Sequence, residues 1–250
     1  IAIAVAVAAL GLGALFVASL RTDLALARLP LAGALHVEIT GHQWWWELRY
    51  DDPEPSRVFT TANELHLPVG RPVVLTLRSN DVIHSFWVPN LAGKKDLIPG
   101  RTATLALRAD RAGTWGGPCA EFCGWQHAKM LLTVVAEPPD TYERWAERQR
   151  APAPEPPDAL AARGRTIVES TTCAVCHAVA GTRAQGRHAP DLTHVASRAT
   201  LGAGALPNSP SHRAAWIANA PRAKPGTQMP PQPLPPDDLR AVLAYVETLR

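Results

Sequence analysis

The sequence predicts a multidomain protein: one transmembrane helix, an all-β Greek-key domain and an all-α domain, in that order. Three observations carry the prediction. Ile1 to Leu20 is an apolar run without a single charge. Between about His36 and Val135 the chain breaks into short β-branched segments separated by Gly, Pro, Asn and Asp clusters. After a Pro-rich stretch at 151–157, helical patterns bracket a region poor in bulky apolar residues.

About 20 apolar residues match the hydrocarbon core of a bilayer when helical. A helix also satisfies its own backbone polar groups, which lipid cannot do. A signal-peptide core would need a basic segment before it and a small-residue cleavage site after it, and neither is visible. The run is therefore read as a membrane helix over 1–22. Because the sequence opens at Ile1 rather than Met, truncation or processing is expected.

The strand candidates are Leu35–Thr40, Val73–Arg78, Thr102–Leu107 and Met130–Val135, short and partly alternating. Many such strands with turn signals between them indicate a sandwich or Greek-key barrel over 23–137. Asp140–Arg150 reads as a short helix. Ala151–Pro157, with four prolines in seven residues, reads as a semi-rigid linker. Together they make a connecting segment over 138–157. From 158 to 250 a second domain opens on a helix capped by Asp158. It closes on a helix from Pro236 whose Leu239, Val242, Leu243, Val246 and Leu249 share one face. The stretch between those helices is loop-rich, with too few large side chains for a core of its own. A large buried cofactor would fill it.

Composition narrows the function. At 250 residues the chain can fold one or two domains unaided. A net charge of only +3 gives no basic surface of the kind a nucleic-acid partner requires. The four cysteines fall in two close pairs, Cys119/Cys123 and Cys173/Cys176. If each pair serves a cofactor, no structural disulfide remains. The chain has two methionines, Met130 and Met229, and both sit where a metal ligand is wanted rather than scattered as core filler.

The densest chemistry lies in Cys119–Met130. Cys119, Cys123, His127 and Met130 follow one another at spacings of four, four and three. Thiolate and thioether are soft ligands and imidazole is borderline, a set that suits copper and not magnesium or calcium. Two cysteines this close can bridge a pair of metal ions. A second histidine would complete the set, and His84 in the Asp81–Pro89 segment is the candidate. A C-x3-C pair alone also suits a disulfide, half a zinc site or a thiol-based copper chaperone.

A second site is written as Cys173-Ala174-Val175-Cys176-His177, the C-x-x-C-H pattern of covalent c-type haem attachment. Two thiols three apart reach the two vinyl groups, and the adjacent histidine then faces the iron. A thioredoxin-like pair would need a βαβ context, which is lacking. Met229, in Pro225–Pro231 just before the last helix, supplies a sixth ligand. His188, His194 and His212 compete in principle but carry no matching motif and read as surface or loop residues.

The His84 and Cys119–Met130 segments, with Leu91–Gly100 between them, resemble subunit II of cytochrome c oxidase and its dinuclear copper A centre. The C-terminal part, including Pro190–His194, extends the resemblance to subunits of the caa type, which carry a fused cytochrome c domain. The resemblance implies a cupredoxin fold for 23–137 and a class I cytochrome c fold for 158–250. It implies copper ligands His84, Cys119, Cys123, His127, Met130 and the main-chain carbonyl of Glu121. It also implies that the Glu121 side chain meets magnesium at a subunit interface. The haem is then held by Cys173 and Cys176, with His177 and Met229 as axial ligands, and electrons enter the copper domain at an exposed Trp44, the residue after Gln43. Subunits of this family usually have two membrane helices, of which this would be the second. Gly117-Pro118 departs from the family's more frequent Gly-Gln, removing one backbone N–H beside the copper loop.

The implied function is electron transfer within a respiratory haem–copper oxidase that couples oxygen reduction to proton translocation, with the oxygen-reducing site on another chain. The implied partners are subunit I, other integral subunits, and cytochrome c or another upstream donor. The implied place is the bacterial inner membrane, with both cofactor domains on the periplasmic side. Residues 158–250 hold ten basic and six acidic residues, and 36–137 hold ten and eleven. Docking of the haem domain near Trp44 and the acidic group Asp51, Asp52 and Glu54 is expected from that contrast. Two other functions stay open on the residues: a copper chaperone or thiol assembly factor, and a membrane-anchored electron carrier outside an oxidase, including a relative of nitrous oxide reductase. A quinol-oxidase subunit is disfavoured, because that branch lacks the copper ligands.

Overall fold

The N-terminal apolar run forms helix α1, Ala2–Ala27, in the computed structural model, which describes residues 1–250. None of its residues is buried against protein, and by length and composition it can cross a membrane. It does not stop at the first charge near 22 but continues through Arg21 and Asp23 to Ala27. Pro30 accounts for the end, because the residue before a proline is pushed out of helical conformation.

Ten strands follow: β1 Leu35–His42, β2 Trp45–Asp51, β3 Phe59–Ala62, β4 Glu64–Pro68, β5 Pro72–Ser79, β6 His84–Phe86, β7 Lys95–Leu97, β8 Ala103–Arg108, β9 Gly113–Pro118 and β10 Leu131–Glu137. They make a five-stranded sheet ordered β3-β2-β1-β5-β8 and a three-stranded sheet ordered β4-β10-β9. β1–β5 and β4–β10 are parallel pairs and the remaining pairs antiparallel, so the two sheets are mixed. Strict alternation along β1 turns Leu35, Val37 and Ile39 inward, where they meet Leu48, Leu65, Leu75 and Leu77. Each fully buried leucine contributes about 2 kcal/mol of transfer free energy. Helix α2, Pro139–Arg150, packs back on this domain: Trp145 stacks on His66 at 4.0 Å between ring centroids and meets Tyr50 and Phe59 edge-on.

The C-terminal domain contains α3 Ala159–Ser170, the one-turn α4 Cys173–Cys176, the hairpin β11 Thr200–Leu201 with β12 Leu206–Pro207, α5 Pro210–Ala223 and α6 Pro236–Thr248. The Asp158 carboxylate caps α3, accepting from the Ala161 N–H at 2.8 Å. α3 and α6 cross at Gly164, where a Cβ would lie 2.0 Å from the Ala241 carbonyl oxygen, so only glycine fits. The core here counts nine buried apolar residues, against 25 in the β domain. That imbalance leaves room for a prosthetic group. Helix α5 falls in the stretch expected to be loop. Ser209 caps it and Pro210 occupies its first turn, while Asn219 and Pro221 kink it near its end.

The two domains touch directly. The Ala199 N–H donates to Glu64 Oε1 at 2.6 Å, the Leu131 N–H to the Ala203 carbonyl at 3.0 Å, and Gln126 Nε2 to the Pro225 carbonyl at 2.8 Å.

Candidate metal and haem centres

The loop from β9 to β10 is tied at both ends. The Cys119 N–H donates to the Met130 carbonyl at 3.0 Å, and the Ala120 N–H donates to the Ser85 carbonyl at 3.1 Å beside His84. These bonds bring a segment of β6 and a distant loop to one point. His84, Cys119 and Cys123 are buried, and their ligand atoms lie within 4.8 Å of one another. Cys119 Sγ lies 4.0 Å from His84 Nδ1 and 3.2 Å from the Glu121 carbonyl oxygen. Cys123 Sγ lies 3.6 Å from His127 Nδ1 and 3.8 Å from Met130 Sδ. Neither thiol is in a disulfide. All six donors expected from the sequence therefore converge, a soft set of sulfur and imidazole that fits copper.

The surroundings orient this set. His84 Nε2–H donates to Asp81 Oδ1 at 2.7 Å, which leaves Nδ1 directed at Cys119. Burial lowers the His84 pKa, but the hydrogen bonds to Asp81 and Cys119 outweigh it and the net shift is upward. Burial raises that of Asp81, but its bond to His84 and two backbone N–H groups hold it below the usual carboxylate range. A hydrogen bond from Cys123 keeps the Cys119 sulfur far below the ordinary thiol range, and the donor Cys123 is pushed up in consequence. Gly41 is a packing requirement, since a Cβ there would meet the His84 ring at 2.7 Å. Asp81 belongs to no ligand motif, but its place three residues before His84 is a usable signal in the sequence.

In the helical domain, α4 presents Cys173 and Cys176 to a cavity also lined by His177 and Met229. His177 Nδ1–H donates to the Pro190 carbonyl at 2.6 Å, fixing the ring with Nε2 free. Burial lowers the His177 pKa, partly opposed by that carbonyl, and so favours the neutral imidazole a metal requires. Arg198 and Arg213 also line the cavity, and the Nε of each is buried without a partner. Such a wall fits an anionic, macrocyclic group like haem. Of the competing histidines, His188 is exposed at the cavity's edge. His194 is not a surface residue but is 5% exposed, with its ring nitrogens 2.8 and 3.1 Å from the Arg250 and Ala151 carbonyls. His212 lies beside the Ser209 cap at 2.8 Å.

Residues 52–137 match the family "Cytochrome C oxidase subunit II, periplasmic domain", and residues 161–250 match the family "Cytochrome c". The chain joins a subunit II domain to a cytochrome c domain. These families indicate copper A and haem c as its cofactors. The chain is similar to cytochrome c oxidase subunit 2 of Alkalihalophilus pseudofirmus, 38% identical over 217 residues, covering 86% of this chain and 61% of the relative. It is 32% identical over 203 residues to that of Bacillus sp. PS3, covering 77% of this chain and 55% of the relative. The chain thus spans less than two thirds of either relative's length. A crystal structure of the periplasmic domain of subunit II (CoxB) of Bradyrhizobium japonicum aligns at 28% identity and a TM-score of 0.44, covering 46% of this chain and 93% of that one.

The expectation for Trp44 needs correction. Trp44 is not exposed: it retains 9% of its surface and lies under the cytochrome domain. A Cβ on Gly226 would be 3.3 Å from its ring. Trp44 and Asn63 of the subunit II domain form part of the wall of the haem cavity, together with Cys176 and Met229 of the cytochrome domain. On its other side, Trp44 Nε1–H donates to the Cys123 carbonyl at 2.8 Å, beside Gln43 Nε2 at 2.7 Å. The cytochrome domain does lie against Trp44, as expected, but the acidic group makes its polar contacts within its own domain. Asp51 pairs with Arg49 and Asp52 with Arg57, and Glu54 accepts from Ser56.

Proposed function

We propose that this chain is the electron-transfer subunit of a respiratory haem–copper oxidase, passing electrons from haem c to copper A and on to a catalytic subunit. The observation that carries the reading is Trp44, which walls the haem cavity and hydrogen-bonds the carbonyl of Cys123. When bound, haem c and a copper pair would each supply one-electron chemistry.

The chain's own residues supply the rest. Cys173 and Cys176 would anchor the haem, and His177 and Met229 would ligate its iron, a pairing that raises the potential. His84, Cys119, Cys123, His127, Met130 and the Glu121 carbonyl would hold the copper pair. Asp81 orients His84, and Gln43 and Trp44 fix the Cys123 main chain. With both domains in contact, Trp44, 9% exposed, would lie between the haem cavity and the Cys123 carbonyl. Glu121 would offer its carboxylate to magnesium at the interface with subunit I, a role supported by the resemblance alone. α1 would anchor the chain in the bacterial inner membrane with both domains on the periplasmic face. An upstream cytochrome c or similar donor would deliver electrons to the haem domain, and proton translocation belongs to the assembled oxidase.

Metal analysis with optical and EPR spectra of the purified chain tests the reading. Two coppers per chain with a mixed-valence signal, and one covalent haem, are expected. A single, readily released copper would favour a chaperone instead. Co-purification with a haem–copper subunit separates an oxidase from a free-standing carrier.

A further inference from the structure

Lys224 precedes the loop that carries Met229, yet its side chain leaves the cytochrome domain and is 2% exposed. Its ammonium donates to three main-chain carbonyls. Two belong to the subunit II domain, Trp44 at 2.6 Å and Lys129 at 2.7 Å; the third is Gly202 of the cytochrome domain, at 2.6 Å. None of the three acceptors is a carboxylate. Trp44 is the tryptophan between the centres, and Lys129 directly precedes the ligand Met130. Lys224 also lines the haem cavity beside Trp44.

We infer that Lys224 is a positioning residue: it latches the cytochrome domain to the subunit II domain and so holds Trp44 between the haem cavity and the copper loop. The inference rests on the electron-transfer reading above. Its chemistry is specific to lysine. Three carbonyl oxygens converge on one point, and only an ammonium carries three donors on a single atom. Arginine spreads its donors over a planar fork, and glutamine offers two. Burial pulls the Lys224 pKa down to about 7, so it is the three converging carbonyl oxygens, not solvation, that favour the charged three-donor form there. The neighbouring contacts, Leu131 N–H to Ala203, Gln126 Nε2 to Pro225 and the Lys129 ammonium to Ala223 at 3.2 Å, are single hydrogen bonds and carry no comparable convergence.

Hydrogen–deuterium exchange on the full, cofactor-loaded chain tests the latch. In Lys224→Met, amide exchange in segments 43–47 and 128–132 of the subunit II domain should rise about tenfold or more, the equivalent of roughly one lost hydrogen bond. Flash-initiated transfer from haem to copper should slow, with the spectra of both centres unchanged. Lys224→Gln, which keeps two donors, should fall between Lys224→Met and the parent, and it serves if Lys224→Met fails to fold. A rise confined to 222–230, or faster exchange across the domains without slower transfer, overturns the inference. A parent chain that moves no electron from haem to copper overturns the electron-transfer reading instead, and exchange still decides whether Lys224 joins the domains.

Discussion

The Trp44 indole donates its N–H to the Cys123 carbonyl at 2.8 Å, although 79 residues separate them. The same ring borders the cavity of Cys176 and Met229. Trp44→Phe keeps an aromatic ring, though a smaller one, and removes the donor, leaving Gln43 as the sole side-chain partner of that carbonyl. The expected result is about 1 kcal/mol lost from the stability of the copper loop, read as a lower melting temperature. Haem-to-copper transfer should slow in the same variant, with copper content unchanged.

Asp81 would act on copper through His84. The 2.7 Å bond to Nε2 fixes the tautomer and leaves Nδ1 on the sulfur side. Partners of this kind tune affinity by about 10- to 100-fold. Asp81→Asn retains an oxygen acceptor but loses the charge, so a fall toward the lower end is expected in a competition titration with a copper chelator. Asp81→Leu should reach the upper end.

Gly164 determines how closely α3 approaches α6. With a Cβ placed 2.0 Å from the Ala241 carbonyl oxygen, Gly164→Ala forces the helices apart and should cost about 1–3 kcal/mol. The loss belongs to the cytochrome domain, so it should appear as a lower transition in haem absorbance. Exchange protection of β1 and β5 in the other domain should not change.

Much of this architecture could be read beforehand, and the reasons are local. The soft donors of the copper loop fall within twelve residues, and the haem motif within five, so chemistry and spacing sufficed. β1 and β5 announced themselves by alternation because one face of each is buried. Helix α5 was signalled by Ser209-Pro210, an N-cap followed by proline, but its alanine-rich body and kink at Asn219 weaken any periodic stripe. The burial of Trp44 and of Lys224 had no local signal. Each is covered by the other domain, 180 residues away in sequence, and composition does not show which surfaces two domains will choose. Charge contrast pointed to Asp51 and Asp52, yet those carboxylates are already satisfied by neighbouring arginines.

His42 makes the subunit II domain sensitive to acid. Burial lowers its pKa from 6.5 to about 4, against the pull of Asp81 in the opposite direction. Its ring stacks on Trp45 at 4.3 Å, and Nε2 is buried without a partner, so protonation there gains no hydrogen bond and the pull of Asp81 does not offset burial. The folded chain holds this imidazole neutral down to about pH 4, while the unfolded chain takes up a proton near 6.5. The unfolded state thus binds more protons across that window, and stability falls as pH drops from 6.5 toward 4. The slope from one such group cannot exceed about 1.4 kcal/mol per pH unit. His42→Gln keeps a polar side chain and removes the titration. Denaturant unfolding at several pH values should therefore show the parent losing stability faster than His42→Gln between 6.5 and 4, with parallel curves above pH 7.5. Equal slopes throughout would mean that the neutral imidazole is not what the fold selects at this position.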